Sequence, residues 1–171
     1  MSTGNLDFEI NSYLTFKLDY EGYALNAGNV LHILEMQKIT KVPKSPDYML
    51  GVINLRGSVL PVIDVRRKFE LPAAEFNSKT CILVLELNLQ DSDLIIGTVV
   101  DEVSEVIEIQ EKDIKPSPAI GDKYKAEFIE GVATDYDGFI MILNIEKLLT
   151  GDEITKLAKV SNYKGEVESV G

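Results

Sequence analysis

The chain has a single histidine, His32, which limits the nucleophilic and metal chemistry that the sequence could support. A Ser-His-Asp or Cys-His arrangement would need it as the base, and a histidine-bearing metal site would need it as a ligand. His32 stands between Leu31 and Ile33, where a partly buried position at a sheet margin explains it better than catalysis does. No kinase-type or receiver-type motif accompanies it that would favour a phosphoryl-accepting role.

Two further groups of residues could do chemistry, and both have simpler structural explanations. Cys81 lies in the apolar run 80–85, where apolar surroundings disfavour a thiolate and favour a small buried side chain. Four carboxylates between residues 101 and 108 could suggest a cation site, but along a strand they alternate between faces and predict a solvated acidic edge. Neither a phosphate-binding glycine-rich loop nor a dinucleotide fingerprint occurs. We therefore predict no catalytic residues, no metal ligands and no cofactor.

Arg56 is the residue whose chemistry suits recognition of another protein. Largely apolar residues 52–55 precede Arg56-Gly57, and apolar residues 59–63 follow. Two β-rich arms around a glycine that permits positive φ predict a tight hairpin with Arg56 at its tip. The arginine could cap carbonyls or pair with an acid, or it could be an interface anchor whose planar fork binds bidentately. Residue chemistry leaves both interpretations open.

The elements that must position these residues are short strands. Segment 29–36 is compatible with a helical turn or a strand, and we interpret it as a turn followed by a strand. Helical residues are predicted at 48–50, 145–149 and 152–160, and loops at 71–79 and 115–123. The other apolar runs predict strands near 13–19, 23–26, 52–55, 59–63, 80–87, 94–100, 103–109, 128–134 and 139–144.

The Arg56 hairpin has a second copy later in the chain. An apolar segment near residue 30 also matches one near residue 103, at an offset of 73. Each copy is too short to bury much surface alone, so the repeat predicts two small β units that share an interface. Short connections between strands favour two small barrels over a parallel α/β sheet. The positions that match at an offset of 80 include Gly51 with Gly131, Leu60 with Ile140, Asp64 with Asn144, and Phe69 with Leu149.

Composition narrows the class of protein further. A chain of 171 residues fits one domain or two small units with a common core, and 45% hydrophobic residues exclude a largely disordered chain. One cysteine allows no intramolecular disulfide and predicts a reducing compartment. Residues 1–10 do not resemble a signal peptide, and no apolar run approaches the roughly 20 residues of a membrane span, so a cytoplasmic location is expected. The net charge of −11 disfavours nucleic acid and anionic lipid as partners.

The stretch 51–69 closely resembles the signature of the CheW family, the coupling proteins of bacterial chemotaxis. The resemblance includes residues 40–46 and 48–50 and extends more loosely from Tyr13 to Leu149. It implies two SH3-like five-stranded β-barrels packed together. We expect a single CheW-like domain over 12–150, with subdomains at about 12–75 and 79–150 between which strands could be exchanged. A flexible N-terminus (1–11) and a C-terminal helix with a tail (151–171) would flank it.

The resemblance also implies partners and sites. Proteins of this family join transmembrane chemoreceptors to the histidine kinase CheA in extended arrays, have no catalytic activity, and reach the membrane through the receptors. An apolar edge of the first barrel, residues 38–42, would meet the regulatory domain of the kinase, with Ile39, Val42 and Gly51 as the matching positions. A groove between the barrels would accept the cytoplasmic tip of the receptor. Its matching positions are Val30, His32, Ile33, Arg56, Val103 and Val106.

His32 is a departure from the family pattern. Family members often carry an acidic residue at this position, and if that acid pairs with the receptor tip, a histidine would alter the charge preference and add pH sensitivity.

Alternatives to the coupling interpretation also follow from the sequence. The chain could serve a non-flagellar pathway, such as gliding, twitching or development. A small barrel could bind nucleic acid, although the acidic balance and the lack of an aromatic and basic stripe disfavour this. A hydrolase would have to be organised around His32.

Overall fold

The computed structural model describes residues 11–89, 93–116, 127–135 and 138–161, and within these ranges ten strands form two five-stranded sheets. The first sheet contains β3 (Val30–Glu35), β4 (Met49–Leu55), β5 (Ser58–Ile63), β6 (Cys81–Asn88) and β7 (Asp93–Val100). The second contains β1 (Ser12–Leu18), β2 (Glu21–Asn26), β8 (Glu102–Glu108), β9 (Ile129–Asp135) and β10 (Gly138–Leu143). The α-helices are Val65–Lys68 and Gly151–Val160, and short 3-10 helices lie at Ala27–Asn29, Glu111–Asp113 and Ile145–Lys147. The predicted all-β fold class is confirmed.

Both sheets close into barrels in the same way. Their strand orders are β3-β6-β7-β5-β4 and β8-β1-β2-β10-β9. Thr40, which follows β3, exchanges two backbone hydrogen bonds of 2.9 and 2.8 Å with Val52 on β4. Lys115, which follows β8, exchanges two of 2.8 Å with Val132 on β9. Each bridge joins the two outer strands of its sheet, so the two barrels repeat one topology.

The two barrels do not coincide with the two halves of the sequence. The boundary expected between the subdomains, near residues 75–79, does not separate the barrels. The strands β6 and β7 follow it in the chain, but they pair with β3 and β5 of the first barrel. The strands β1 and β2 precede the first barrel and pair instead with β8 and β10. The first barrel is therefore continuous over 30–100, and the second combines the first two strands with the last three. The exchange of strands that the sequence analysis allowed is therefore present, and because of it the limits at about 12–75 and 79–150 do not coincide with the barrels.

Matching hydrogen bonds confirm the predicted repeat. The Asp64 side chain accepts a hydrogen bond from the backbone N–H of Arg66, and that of Asn144 accepts one from Glu146, both at 3.0 Å. Each of these caps begins a short helical segment directly after a barrel strand. The backbone N–H groups of Asp64 and Asn144 donate to the carbonyls of Tyr48 and Phe128, both at 2.8 Å.

The hydrophobic residues form three clusters because the strands alternate between two faces. Ile82 and Val84 point into the first barrel, and Ile140 and Ile142 belong to a small cluster inside the second. The opposite faces meet in a larger shared cluster, to which Leu83 and others contribute. An aromatic row runs through this shared core, with ring centroids 6.0 Å apart for Phe16 and Tyr23, 5.4 Å for Tyr23 and Phe69, and 4.7 Å for Phe69 and Phe128.

The Gly151–Val160 helix covers part of the shared core. Leu157 is buried there, and Ile154 and Val160 pack against it. A capping box fixes its start, since Thr150 and Glu153 exchange hydrogen bonds. Glu153 also pairs with Lys68, whose ammonium lies 5.0 Å from the centre of the Tyr48 ring. The helix is thereby tied to the first barrel.

Several local expectations are settled by these elements. The turn followed by a strand at 29–36 is confirmed, as is a helix within 152–160. The helical turn expected at 48–50 is wrong, because Met49 pairs with Ile63 and already belongs to β4. Residues 1–10, 90–92, 117–126, 136–137 and 162–171 lie outside the described residues. They include most of the expected N-terminal segment, the tip of the second hairpin and the expected tail.

Gly51→Ala should destabilise the first barrel, because a Cβ at this position (φ +150°) would lie 2.3 Å from the Thr40 carbonyl oxygen. We expect the free energy of unfolding in urea to fall by roughly 1–3 kcal/mol. Gly151→Ala is the matched control, since no atom lies within 4 Å of the Cβ it would add. Equal stability of the two variants would show that the close approach of Thr40 does not require glycine.

The Glu153 carboxyl predicts a pH-dependent contribution to stability. Burial opposes its ionisation, but hydrogen bonds from Lys68 and Thr150 outweigh this and hold the pKa of Glu153 below its usual value. Its contribution is therefore present above the unfolded-state pKa of about 4.3 and is lost as the pH falls through the folded-state value.

Glu153→Gln should accordingly lower the free energy of unfolding at pH 7 by about 1 kcal/mol, and the difference from the wild type should shrink towards pH 3. Urea unfolding at both pH values measures this. A difference that stays constant with pH would contradict the assignment of the ion pair.

Candidate interaction surfaces

β3 is an edge strand of the first barrel. Val30 is paired with Leu85 and Ile33 with Leu83, and both leucines point into the shared core. Directly paired residues lie on the same face of a sheet, so Val30 and Ile33 face the second barrel. Val30 packs against the shared core, whereas Ile33 is 49% exposed.

The corresponding edge strand of the second barrel is β8, and its register places Val103 and Val106 on the face that points towards the first barrel. Val103 is paired with Phe16 and Val106 with Leu14, and both partners belong to the shared core. Val103 packs against that core, whereas Val106 is 59% exposed. We use the term inter-barrel groove for the surface formed by Val30, Ile33, Val103 and Val106. Each of its sides has one residue anchored in the shared core and one exposed to solvent.

Cys81 shows that the two edges come close to the same point. Its backbone is paired with Glu35 on β3, and its side chain interacts with the backbone of Val103 on β8. Burial raises the pKa of the Cys81 thiol, the Val103 backbone opposes this, and the Glu35 and Glu102 carboxylates raise the pKa further. A raised thiol pKa disfavours the thiolate, so these surroundings do not activate Cys81 as a nucleophile.

His32 does not lie on the groove side of β3. A register shift between Val30 and His32 pairs His32 with Val84, which points into the first barrel. His32 therefore shares the face of Val84, opposite to Ile33, and is half-buried. The sequence analysis placed His32 with the groove residues. This is wrong, because the bulge shifts the register and puts His32 on the other face of the strand.

Arg56 is at the tip of the β4–β5 hairpin, as predicted. Leu55 is paired with Ser58, so Arg56 and Gly57 form a two-residue turn, and their φ values of 55° and 85° identify it as type I′. The Gly57 N–H donates to the Asn54 side chain at 2.7 Å. Arg56 is exposed and belongs to neither strand that forms the groove.

The segment expected to meet the kinase, residues 38–42, is already paired with β4 through Thr40. Ile39 packs on the interior of the first barrel and Val42 on the shared core, and both are half-buried. Gly51 is buried beneath Thr40 and serves barrel closure, so it can affect a partner only through the position of this segment. Lys38, Thr40 and Lys41 are the exposed residues of the segment.

Sequence reasoning missed a polar link between the barrels. The Arg66 side chain, only 10% exposed, donates to both carboxylate oxygens of Asp101 and to the Pro72 carbonyl. Asp101 also accepts a 2.7 Å hydrogen bond from the backbone of Asp19, in the β1–β2 turn of the second barrel. The one available signal was the repeat, in which Arg66 matches Glu146. Glu146 likewise accepts a 3.0 Å hydrogen bond from the backbone of Asn88, at the end of β6 in the first barrel.

Within the described ranges, no three His, Cys, Asp or Glu side chains are grouped closely enough to hold a metal ion. None of the helices found in those ranges combines the length and apolarity that a membrane crossing requires.

The fold defines a class of protein, a pair of SH3-like five-stranded barrels that share one hydrophobic core. Comparisons with known proteins give the family. The CheW-like domain family matches residues 12–153. Chemotaxis protein CheW of Helicobacter pylori is 36% identical over 145 residues, which cover 84% of each chain. Chemotaxis protein CheW of Klebsiella aerogenes is 30% identical over 149 residues, 87% of each chain.

Further matches agree with this result. The crystal structure of the scaffolding protein TtCheW from Thermoanaerobacter tengcongensis superposes with a TM-score of 0.72 at 32% identity, over 84% of this chain and 96% of that one. Protein FrzA of Myxococcus xanthus is 34% identical over 123 residues, 71% of this chain and 74% of the relative. The chain belongs to the CheW-like family, a family of scaffolds, and is a coupling adaptor of chemotaxis signalling.

The geometry of the hairpin tip predicts opposite behaviour for its two residues. Gly57→Val should lower the free energy of unfolding by roughly 1–3 kcal/mol, because a β-branched residue is strained at φ 85°. Arg56→Glu should change it by no more than about 0.5 kcal/mol, because the side chain is exposed. Thermal unfolding of both variants measures this. Unfolding of the Arg56→Glu protein would show that Arg56 is structural.

Proposed function

We propose that the chain couples transmembrane chemoreceptors to the histidine kinase CheA by binding both, without catalysing a reaction itself. The observation that carries this proposal is that Val30 of β3 and Val103 of β8 both pack on the shared core, each on the same strand as an exposed apolar residue, Ile33 or Val106. The proposed location is cytoplasmic, at the inner face of the membrane to which receptors recruit the chain.

The groove suits the tip of a receptor helical hairpin. Val30 and Val103 provide an apolar base, and the exposed Ile33 and Val106 provide contact area on either side. An amphipathic helix buries its apolar stripe in such a groove. The nearby carboxylates of Glu35 and Glu102 favour a receptor tip with basic residues beside that stripe.

The proposed kinase surface is the segment 38–42 over Gly51. Each half-buried aliphatic residue of this segment, Ile39 or Val42, directly follows an exposed lysine, Lys38 or Lys41. A partner would therefore meet aliphatic surface bordered by positive charge. This segment follows β3 and is fastened to β4. The regulatory domain of CheA is the partner that we propose for it.

A scaffold of a non-flagellar pathway is the second candidate. The match to Protein FrzA of Myxococcus xanthus supports it, because the family matches include a relative that does not carry the CheW name. The same surfaces would serve in either pathway. Nucleic-acid binding is a weaker candidate, because a net charge of −11 opposes binding to a phosphate backbone.

Ile33→Asp should weaken binding to receptor-bearing membranes roughly tenfold or more, because it places a charge at the apolar contact. Phe76→Asp is the matched control, since Phe76 is similarly exposed at 53% but lies in the connector between β5 and β6. Arg56→Glu, measured alongside, should also weaken binding if Arg56 extends the receptor surface. Co-sedimentation gives the affinities, and equal losses for Ile33→Asp and Phe76→Asp would refute the groove assignment.

Val42→Thr should weaken kinase binding several-fold while leaving receptor binding unchanged. The substitution replaces a methyl group by a hydroxyl of similar shape, so the partner would have to desolvate a polar group where it now meets apolar surface. Calorimetric titration with the kinase regulatory domain measures the effect, and the melting temperature checks the fold. Unchanged kinase affinity in the folded variant would exclude Val42 from the kinase surface.

A further inference from the structure

A cavity of about 430 Å³ lies between the loop 42–46 and the Gly151–Val160 helix, outside the inter-barrel groove. Its wall is apolar and includes Val42, Met49, Leu157 and Val160. The charged residues that line it are all lysines, namely Lys44, Lys156 and Lys159. An apolar wall with a cationic rim can take a ligand that has both aliphatic groups and negative charges.

The positive charge continues along the same loop. A neighbouring cavity of about 490 Å³ shares residues 42–46 and adds Lys41 and Arg67, with Asp47 as the carboxylate in its lining. Lys156 is paired with Asp152 at 3.2 Å, but both side chains are more than half exposed, so solvent weakens this pair. Five cations line the two cavities: Lys41 and Lys44 on the loop, Arg67 on the Val65–Lys68 helix, and Lys156 and Lys159 on the Gly151–Val160 helix. They contrast with the net charge of −11 of the chain.

We propose that this basic loop groove, formed by the two cavities along residues 42–46, binds an acidic segment of a partner protein that carries aliphatic side chains between its carboxylates. Charge complementarity supports the choice, since the cations are concentrated beside an aliphatic wall on an otherwise acidic molecule. An inorganic anion would leave the wall uncovered. Two adjacent cavities along one loop also favour an extended segment over a compact ligand.

The proposal does not depend on the receptor and kinase assignments. Val42 lines the basic loop groove and is also part of the proposed kinase surface. The variants below therefore leave Val42 unchanged and alter lysines on the helix, away from the segment 38–42. Binding to receptor-bearing membranes and to the kinase should persist in them, which separates a failure of this proposal from a failure of the coupling function.

The test uses a fluorescein-labelled peptide of sequence Glu-Asp-Leu-Glu-Asp-Leu-Glu and fluorescence anisotropy with the full chain. The wild type should bind it, with affinity that falls as salt increases. Lys156→Glu with Lys159→Glu should weaken binding roughly tenfold. Lys112→Glu with Lys147→Glu makes the same change in net charge at exposed positions elsewhere and should have little effect. A peptide with Ser in place of Leu should bind more weakly than the original.

Four results would overturn the proposal. The first is no measurable binding of the original peptide to the wild type. The second is an equal loss of binding in the two lysine pairs, which would indicate only long-range charge. The third is equal binding of the Ser peptide, which would show that the apolar wall is not used. The fourth is binding only in the variant that carries both Glu166→Gln and Glu168→Gln, which would identify the occupant as a segment of this chain rather than a partner.

Discussion

The shared hydrophobic core between the two barrels is the constraint on which the other features depend. Each sheet uses one face to fill its own small interior and the other to cover its neighbour, so neither barrel buries its strands alone. The stacking of Phe69 on Phe128 at 4.7 Å joins the two units at their aromatic residues. Because Val30 of β3 and Val103 of β8 both pack on this core, it holds the two strands of the proposed receptor surface in place before any partner arrives.

Polar contacts set the orientation of the barrels around that core. Arg66 reaches the β1–β2 turn of the second barrel through Asp101, and Glu146 reaches the end of β6 in the first. These two positions match in the repeat but carry opposite charges, so each barrel holds the hairpin of the other by a different interaction. The duplication produces two similar supports while the exposed surfaces remain free to differ.

Local pattern was enough to predict the hairpins, the repeated glycines and the paired barrels. Gly51 and Gly131 were found from their 80-residue offset, and both prove to lie against a closing backbone segment. The exchange of β1 and β2 into the second barrel could not be derived, because pairing between distant strands leaves no local signal. His32 was misplaced because one bulge residue reverses the face of a strand, and Arg66 was missed because its partner lies 35 positions away. The groove positions came from family resemblance, and the strand register shows that four of them lie on the strand faces that meet the shared core.

The central claim is that one rigid molecule holds receptor and kinase at the same time. Its most direct test is sedimentation of the kinase with receptor-bearing membranes, with and without the chain, as its concentration is raised past saturation. An adaptor predicts that kinase enters the pellet only with the chain present, and that excess chain in solution lowers the amount again by occupying the two partners separately. Kinase that pellets equally without the chain, or a chain that binds the two partners only in mutual exclusion, would contradict it.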